Sequence, residues 1–140
     1  MILDSSAFIA FISPRDSHHS EASRVIEKEL GSDHVYLHEV SLAECLVGAN
    51  SESSVQKLFN QLATLGILLL DSRGITGALR VARLRQETRC ALPDCYVLDA
   101  ALMREQSLAT FDSRMHTQAN LLGIKTLTNG FEWSTTRSPL

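Results

Sequence analysis

Four acids lie far apart in the chain, each at or near the end of an apolar run: Asp4 after "MIL", Glu44 in "SLAECL", Asp94 in "ALPDCYVLDA" and Asp112 after "SLATF". Gathered in one place, such carboxylates cannot all stay ionised unaided. At about 4 Å and an effective dielectric near 20, each pair repels by roughly 4 kcal/mol. The cluster must take up protons or bind a cation. Oxygen donors select a hard divalent ion, Mg2+ or Mn2+, over zinc. Such an ion activates water and neutralises a phosphoryl oxygen, which is the chemistry of phosphodiester hydrolysis. Softer ligands do not compete. His18, His19, His34, His38 and His116 show no ligand spacing, and His18 and His19 read as an exposed helix end. Cys45, Cys90 and Cys95 are odd in number and form no CxxC pair, so they read as reduced, buried thiols. The chain has no Ser/His/Asp set and no phosphate-cradling glycine loop, which argues against a covalent hydrolase or a nucleoside-triphosphate enzyme.

Each acid also has a plainer reading. Asp4 and Asp112 can cap the helices that follow them, and Asp94 can be an ordinary first-turn acid after Pro93. Ser41-x-x-Glu44 has the form of a capping box. The functional reading needs elements that bring all four together. Short apolar runs alternate with amphipathic ones throughout: "MIL", "HVYLH", "ILLL", "SLATF" and "IKTLT" read as strands with helices between them. That alternation predicts an α/β sandwich, a parallel sheet with helices on both faces. In such a sheet, sites form beyond the carboxyl ends of the strands, near a switch in strand order. Asp4 and Asp112 end strands there and Asp94 opens a helix there. Asp99 does not belong with them. Five residues after Asp94, it lies about 140° around the helix, and it reads as a helix-surface acid near a basic side chain.

One compact domain suits 140 residues. The fractions of hydrophobic and charged residues, 44% and 21%, are those of an ordinary globular chain, which excludes a disordered or low-complexity protein. "LGILLL" is far too short to cross a bilayer. The opening "MILDSSAFIAFIS" has no basic n-region, so no secretory signal is expected and the cytoplasm is. A net charge of −3 excludes nucleic-acid binding by bulk charge and leaves only local contacts. Arg73, Arg80, Arg83, Arg85 and Arg89 crowd one segment, either as a solvated helix face or as a phosphate-binding strip. Arg73 and Arg80 share a face; Arg85 and Arg89 point elsewhere.

These motifs together resemble the PIN-domain ribonucleases, in particular the VapC-type toxins of toxin–antitoxin pairs. "ILDSSAFIA", "VSLAECLVGA", "LPDCYVLDAAL" and "LATFDSRM" follow in that family's order over nearly the whole chain. The resemblance implies a PIN domain over residues 1–128, with a five-stranded parallel sheet in the order 3-2-1-4-5. The tail over 129–140, "NGFEWSTTRSPL", has no periodicity and reads as a loop or a frayed end, or with Trp133 tucked against the body. The resemblance also implies that Asp4, Glu44, Asp94 and Asp112 are catalytic and metal-binding, and that Ser6 supports the first carboxylate. Arg114 stands where many relatives carry a further acid or amide; it, or an arginine of the 73–89 segment, is a candidate contact for substrate phosphate. By resemblance the protein is a toxic Mg2+- or Mn2+-dependent endoribonuclease acting on RNA. A VapB-type antitoxin would neutralise it, lying in a groove to which Val55, Leu58, Phe59 and Leu62 contribute unless they are simply core. A homodimer is implied, with operator DNA contacted only through the antitoxin. An RNA-processing PIN nuclease and a non-catalytic PIN-like module remain as alternatives. A receiver-like phosphoacceptor domain fits less well, since "MILDSS" offers a single acid and Lys125 lies at the start of its strand.

Overall fold

The computed structural model describes residues 1–127. The segment 129–140, with Trp133, lies outside the described residues. Four short strands, β1 (Ile2–Leu3), β2 (Tyr36–His38), β3 (Leu68–Leu70) and β4 (Leu108–Ala109), form one sheet in the order β3-β2-β1-β4. All its pairings are parallel, with Leu3 opposite both Leu37 and Ala109. The position expected for a fifth strand is occupied by residues around Thr126, which forms a parallel bridge to Leu108. Leu108 donates its N–H to the Lys125 carbonyl at 2.9 Å and accepts from the Leu127 N–H at 3.0 Å.

Seven helices are described: α1 (Ser5–Ile12), α2 (His19–Leu30), α3 (Glu39–Val47), α4 (Glu52–Leu65), α5 (Gly74–Thr88), α6 (Leu92–Arg104) and α7 (Ser113–Leu121). Successive strand residues point to opposite faces, and the core divides accordingly. Leu3, Leu37 and Ala109 join Phe8, Ala22, Ile26, Leu58 and Leu62 from α1, α2 and α4. Ile2 and Leu108 join Val81, Leu84, Leu98 and Met115 from α5, α6 and α7. Each fully buried Leu, Ile or Phe contributes about 1.5–3 kcal/mol, so two-residue strands persist here through what lies above and below them. Gly66, at φ 73°, ends α4 in the left-handed region and lets the chain turn straight into β3.

Three local expectations are corrected. The capping box does not form: α3 starts at Glu39, its N-cap is His38, whose Nδ1 accepts the Val40 N–H at 3.0 Å, and Ser41 is already helical and buried. The imidazole takes the capping role three residues earlier, which leaves Glu44 mid-helix and exposed. In "RDSHHSEASRVIEKELGS" Asp16 and Ser17 are the N-cap candidates by residue type, and neither caps α2. The Asp16 carboxylate accepts the His18 N–H at 2.8 Å in a local turn, and the helix begins one residue after that. His18 and His19 are half-buried, not an exposed helix end, because α2 packs back on α1 and the His19 Nδ1 lies 2.8 Å from the Ala10 carbonyl oxygen. Of the four candidate groove residues on α4, Leu58 and Leu62 belong to the core, Val55 is half-buried, and Phe59 is exposed.

Candidate active site at the carboxyl edge of the sheet

The strand order creates the site. The chain steps outward from β1 to β2 to β3, then returns past β1 to lay β4 on its other side. The switch falls between β1 and β4, and the residues leaving those two strands face each other across it. Asp4 leaves β1 and caps α1. Its Oδ1 accepts the Ala7 N–H at 2.9 Å and the Ser6 hydroxyl at 2.7 Å. Its Oδ2 accepts the hydroxyl of Thr110, which leaves β4. Thr110 then accepts the Asp112 N–H at 3.0 Å, and Ser6 accepts the Phe111 N–H at 3.0 Å. Two hydroxyls thus tie the first acid to the loop that carries the last. Asp112 in turn caps α7, its Oδ1 accepting from the N–H groups of Arg114 and Met115.

Asp4 is 5% exposed. Burial pushes its carboxyl up to about 6, its three hydrogen bonds notwithstanding, and the charge of Asp94 adds to the rise. Asp94, half-buried in the first turn of α6, is also pushed up, first by burial and then by Asp112 and Glu44, while Arg114 pulls it back. Burial raises the Cys45 thiol to about 11, and Glu44 and Asp4 contribute. Asp94 therefore feels Asp112 and Glu44, and Asp4 feels Asp94; Glu44 rides on α3, which packs on both α1 and α6. Arg114 stands beside Asp94 with its Nη2 donating to the Arg89 carbonyl at 2.9 Å. Arg89 holds a left-handed conformation, φ 59°, in the tight link from α5 to α6.

The donor set is carboxylate oxygen backed by hydroxyls, which suits a hard divalent ion. Among the described residues no three His, Cys, Asp or Glu side chains are gathered closely enough to close around one ion together. The acids fit such an ion by chemistry and by the unfavourable charge they share.

Asp99 lies elsewhere, as helical phase requires, but it is not a surface acid. It is 6% exposed and receives Nε of Arg80 at 2.8 Å and Nη2 at 3.2 Å. The fork of a guanidinium matches a carboxylate and allows it to be buried. This pair lines a cavity of about 1030 Å³ between β2, β3, α5 and α6, to which none of the four acids contributes. Arg73 lines the same cavity, whereas Arg83, Arg85 and Arg89 are exposed. Sequence reasoning missed Thr110. Its only signal is a hydroxyl two places before Asp112 at the end of a strand, and its partner is 106 residues away.

A parallel sheet between helical layers, with Asp4 and Asp112 leaving adjacent strands at its switch point, defines an α/β domain. The sequence matches the PIN domain over residues 1–121, and the chain belongs to that family. No curated protein sequence matches it. Its fold is similar to a toxin–antitoxin complex from Klebsiella pneumoniae, at 24% identity and TM-score 0.65 over 80% of this chain and 86% of that one. It is also similar to VapBC2 from Rickettsia felis bound to a DNA fragment from their promoter, at 14% identity and TM-score 0.70 over 89% and 95%. A structure of FitAcB from Neisseria gonorrhoeae gives 19% identity and TM-score 0.59 over 90% and 95%. Among the described residues no helix is long and apolar enough to cross a membrane.

Proposed function

We propose that this chain is the nuclease of a toxin–antitoxin pair: an Mg2+-dependent endoribonuclease, with Mn2+ able to substitute, neutralised by a cognate VapB-type antitoxin. The observation that carries the reading is the shared electrostatics of Asp4, Glu44, Asp94 and Asp112 at the sheet's switch point. Membership of the PIN family and similarity of fold to toxin–antitoxin structures support it. Asp4, Asp94 and Asp112, with Glu44, would hold the divalent ion, which when bound supplies an activated water and charge neutralisation at the phosphoryl group. The chain's own groups set the geometry. Ser6 and Thr110 fix both oxygens of Asp4. Glu44, exposed on α3, orients the attacking water. Arg114, held by the Arg89 carbonyl, places a guanidinium beside Asp94 where a substrate phosphate would lie. The protein acts in the cytoplasm as a homodimer, and operator DNA is contacted through the antitoxin.

The test is cleavage of cellular RNA by the purified protein with Mg2+ and with EDTA, beside Asp94→Asn. EDTA should silence cleavage, and the variant should lose about 100-fold or more while keeping its fold. Cleavage by Asp94→Asn at near the wild-type rate would overturn the assignment.

A further inference from the structure

The arginines crowded between residues 73 and 89 part company in the fold. Arg80 is paired with Asp99, and Arg73 lines the same cavity. Arg85 and Arg89 stand one turn apart at the end of α5, where the Arg89 N–H donates to the Arg85 carbonyl at 3.0 Å. The link from α5 to α6 ties this end to the acid site. The Thr88 hydroxyl donates to the Leu84 carbonyl at 2.7 Å and accepts the Cys90 N–H at 3.1 Å, and the Cys95 thiol donates to the Cys90 carbonyl at 3.5 Å. Cys95 follows Asp94. Its thiol, raised first by burial, feels Asp94 and, in the opposite sense, Arg85. From α7, Arg114 donates its Nη2 to the Arg89 carbonyl at 2.9 Å. Three exposed arginines thus border the acids on the α5–α6 side. The salt bridges among the described residues involve Arg24, Arg80 and the Met1 ammonium, so none of these three is paired with a carboxylate.

We propose that Arg85 and Arg89, continuing from Arg114, form a phosphate track that binds the backbone of an RNA strand on one flank of the scissile bond. The inference rests on the nuclease reading above and extends it to the path of the substrate. A chain of net charge −3 cannot draw RNA by bulk charge, so its phosphate contacts must be local. A strand entering the site brings further phosphates towards a cluster of acids, and fixed cations beside those acids offset that repulsion. A single basic residue in the last turn of α5 would suit the helix dipole; further unpaired arginines only repel it until phosphates arrive between them. Arg89 also holds φ 59°, where a glycine would sit without strain. The fold keeps a guanidinium at a position whose backbone favours a residue with no side chain.

The experiment measures kcat and KM on a single-stranded RNA of about 12 nucleotides over about 50 to 200 mM salt. It compares wild type, the double variant Arg85→Gln, Arg89→Gln, and Arg89→Lys. The double variant should raise KM about 10-fold and leave kcat within about two-fold. Its plot of log(kcat/KM) against log salt should be shallower by about 1.4, at about 0.7 for each lost phosphate contact. Arg89→Lys keeps the charge and should keep the wild-type slope. A double variant with KM and slope unchanged overturns the track while the nuclease reading stands, and so does a loss confined to kcat. Competition by duplex DNA as strong as by the RNA strand, and lost in the same variant, would make this a duplex contact and overturn it too. Failure of wild type to cut any RNA with Mg2+ or Mn2+ overturns both readings. If the double variant folds poorly, Arg85→Gln alone decides: a slope shallower by about 0.7 supports the track and an unchanged slope overturns it.

Discussion

Asp4 and Asp99 are both buried aspartates, 5% and 6% exposed, but only Asp99 lines the cavity that holds Arg80. Asp99 has its own cation: Arg80 meets it with two nitrogens. Asp4 has hydroxyls, one backbone N–H and other acids. Burial lifts its carboxyl to about 6 because hydrogen bonds offset only part of the lost hydration. One carboxylate is satisfied within the fold. The other is held in place but left short of positive charge, which is the condition for taking a cation from solution.

The sharpest way to break this comparison is to neutralise each acid and follow cleavage. Asp4→Asn should lower RNA cleavage by about 100-fold or more, while a folded Asp99→Asn protein should keep most of its rate. Equal losses would mean that the two acids do not differ in role. Stability should rank them the other way. Removing one partner of a buried ion pair strands the other, so Asp99→Asn should lower the melting temperature by roughly 10 °C.

The pH dependence sharpens it further. The folded protein holds a proton on Asp4 up to about pH 6, whereas an unfolded aspartate releases it near 3.8. The raised value means that its contribution is fully present below the unfolded pKa and is lost as pH rises through 6. Without metal, stability should therefore fall by about 2 to 3 kcal/mol between pH 4 and pH 7 from this group. Chemical denaturation of wild type and Asp4→Asn across that range measures it, and parallel curves would contradict it. Mg2+ or Mn2+ should raise the melting temperature at pH 7.5 and do less at pH 5, where protons compete for the same oxygens. The smallest effect is expected at Asp94, which is half-exposed. Without metal, Asp94→Asn should raise the melting temperature by about 2–4 °C by relieving its repulsion from Asp112 and Glu44; an unchanged or lower value would speak against a shared field.

Much of this was legible in the residues. "MIL", "HVYLH" and "SLATF" contain β1, β2 and β4, and the acids after two of them sit at the strand ends where an α/β sheet builds sites. Helical phase separated Asp94 from Asp99 without coordinates. Local pattern failed where a competing group won. His38 took the cap that Ser41-x-x-Glu44 seemed to announce, since an imidazole nitrogen accepts a backbone N–H as a hydroxyl does. Asp99 looked like a surface acid because periodicity gives direction around a helix but not what waits there.

The amino-acid sequence by itself determined the alternation of strands and helices, the family, and which acids stand at strand and helix ends. Those follow from short-range periodicity and end signals, which act within a few residues. Only the tertiary structure decided that Thr110 clasps Asp4, that Arg80 neutralises Asp99, and that His18 lies flat on Phe111. Each of those contacts joins segments whose separation in sequence carries no record of their distance in space. They form because the sheet sets its strands side by side and burial makes an unpaired polar group too costly to leave alone.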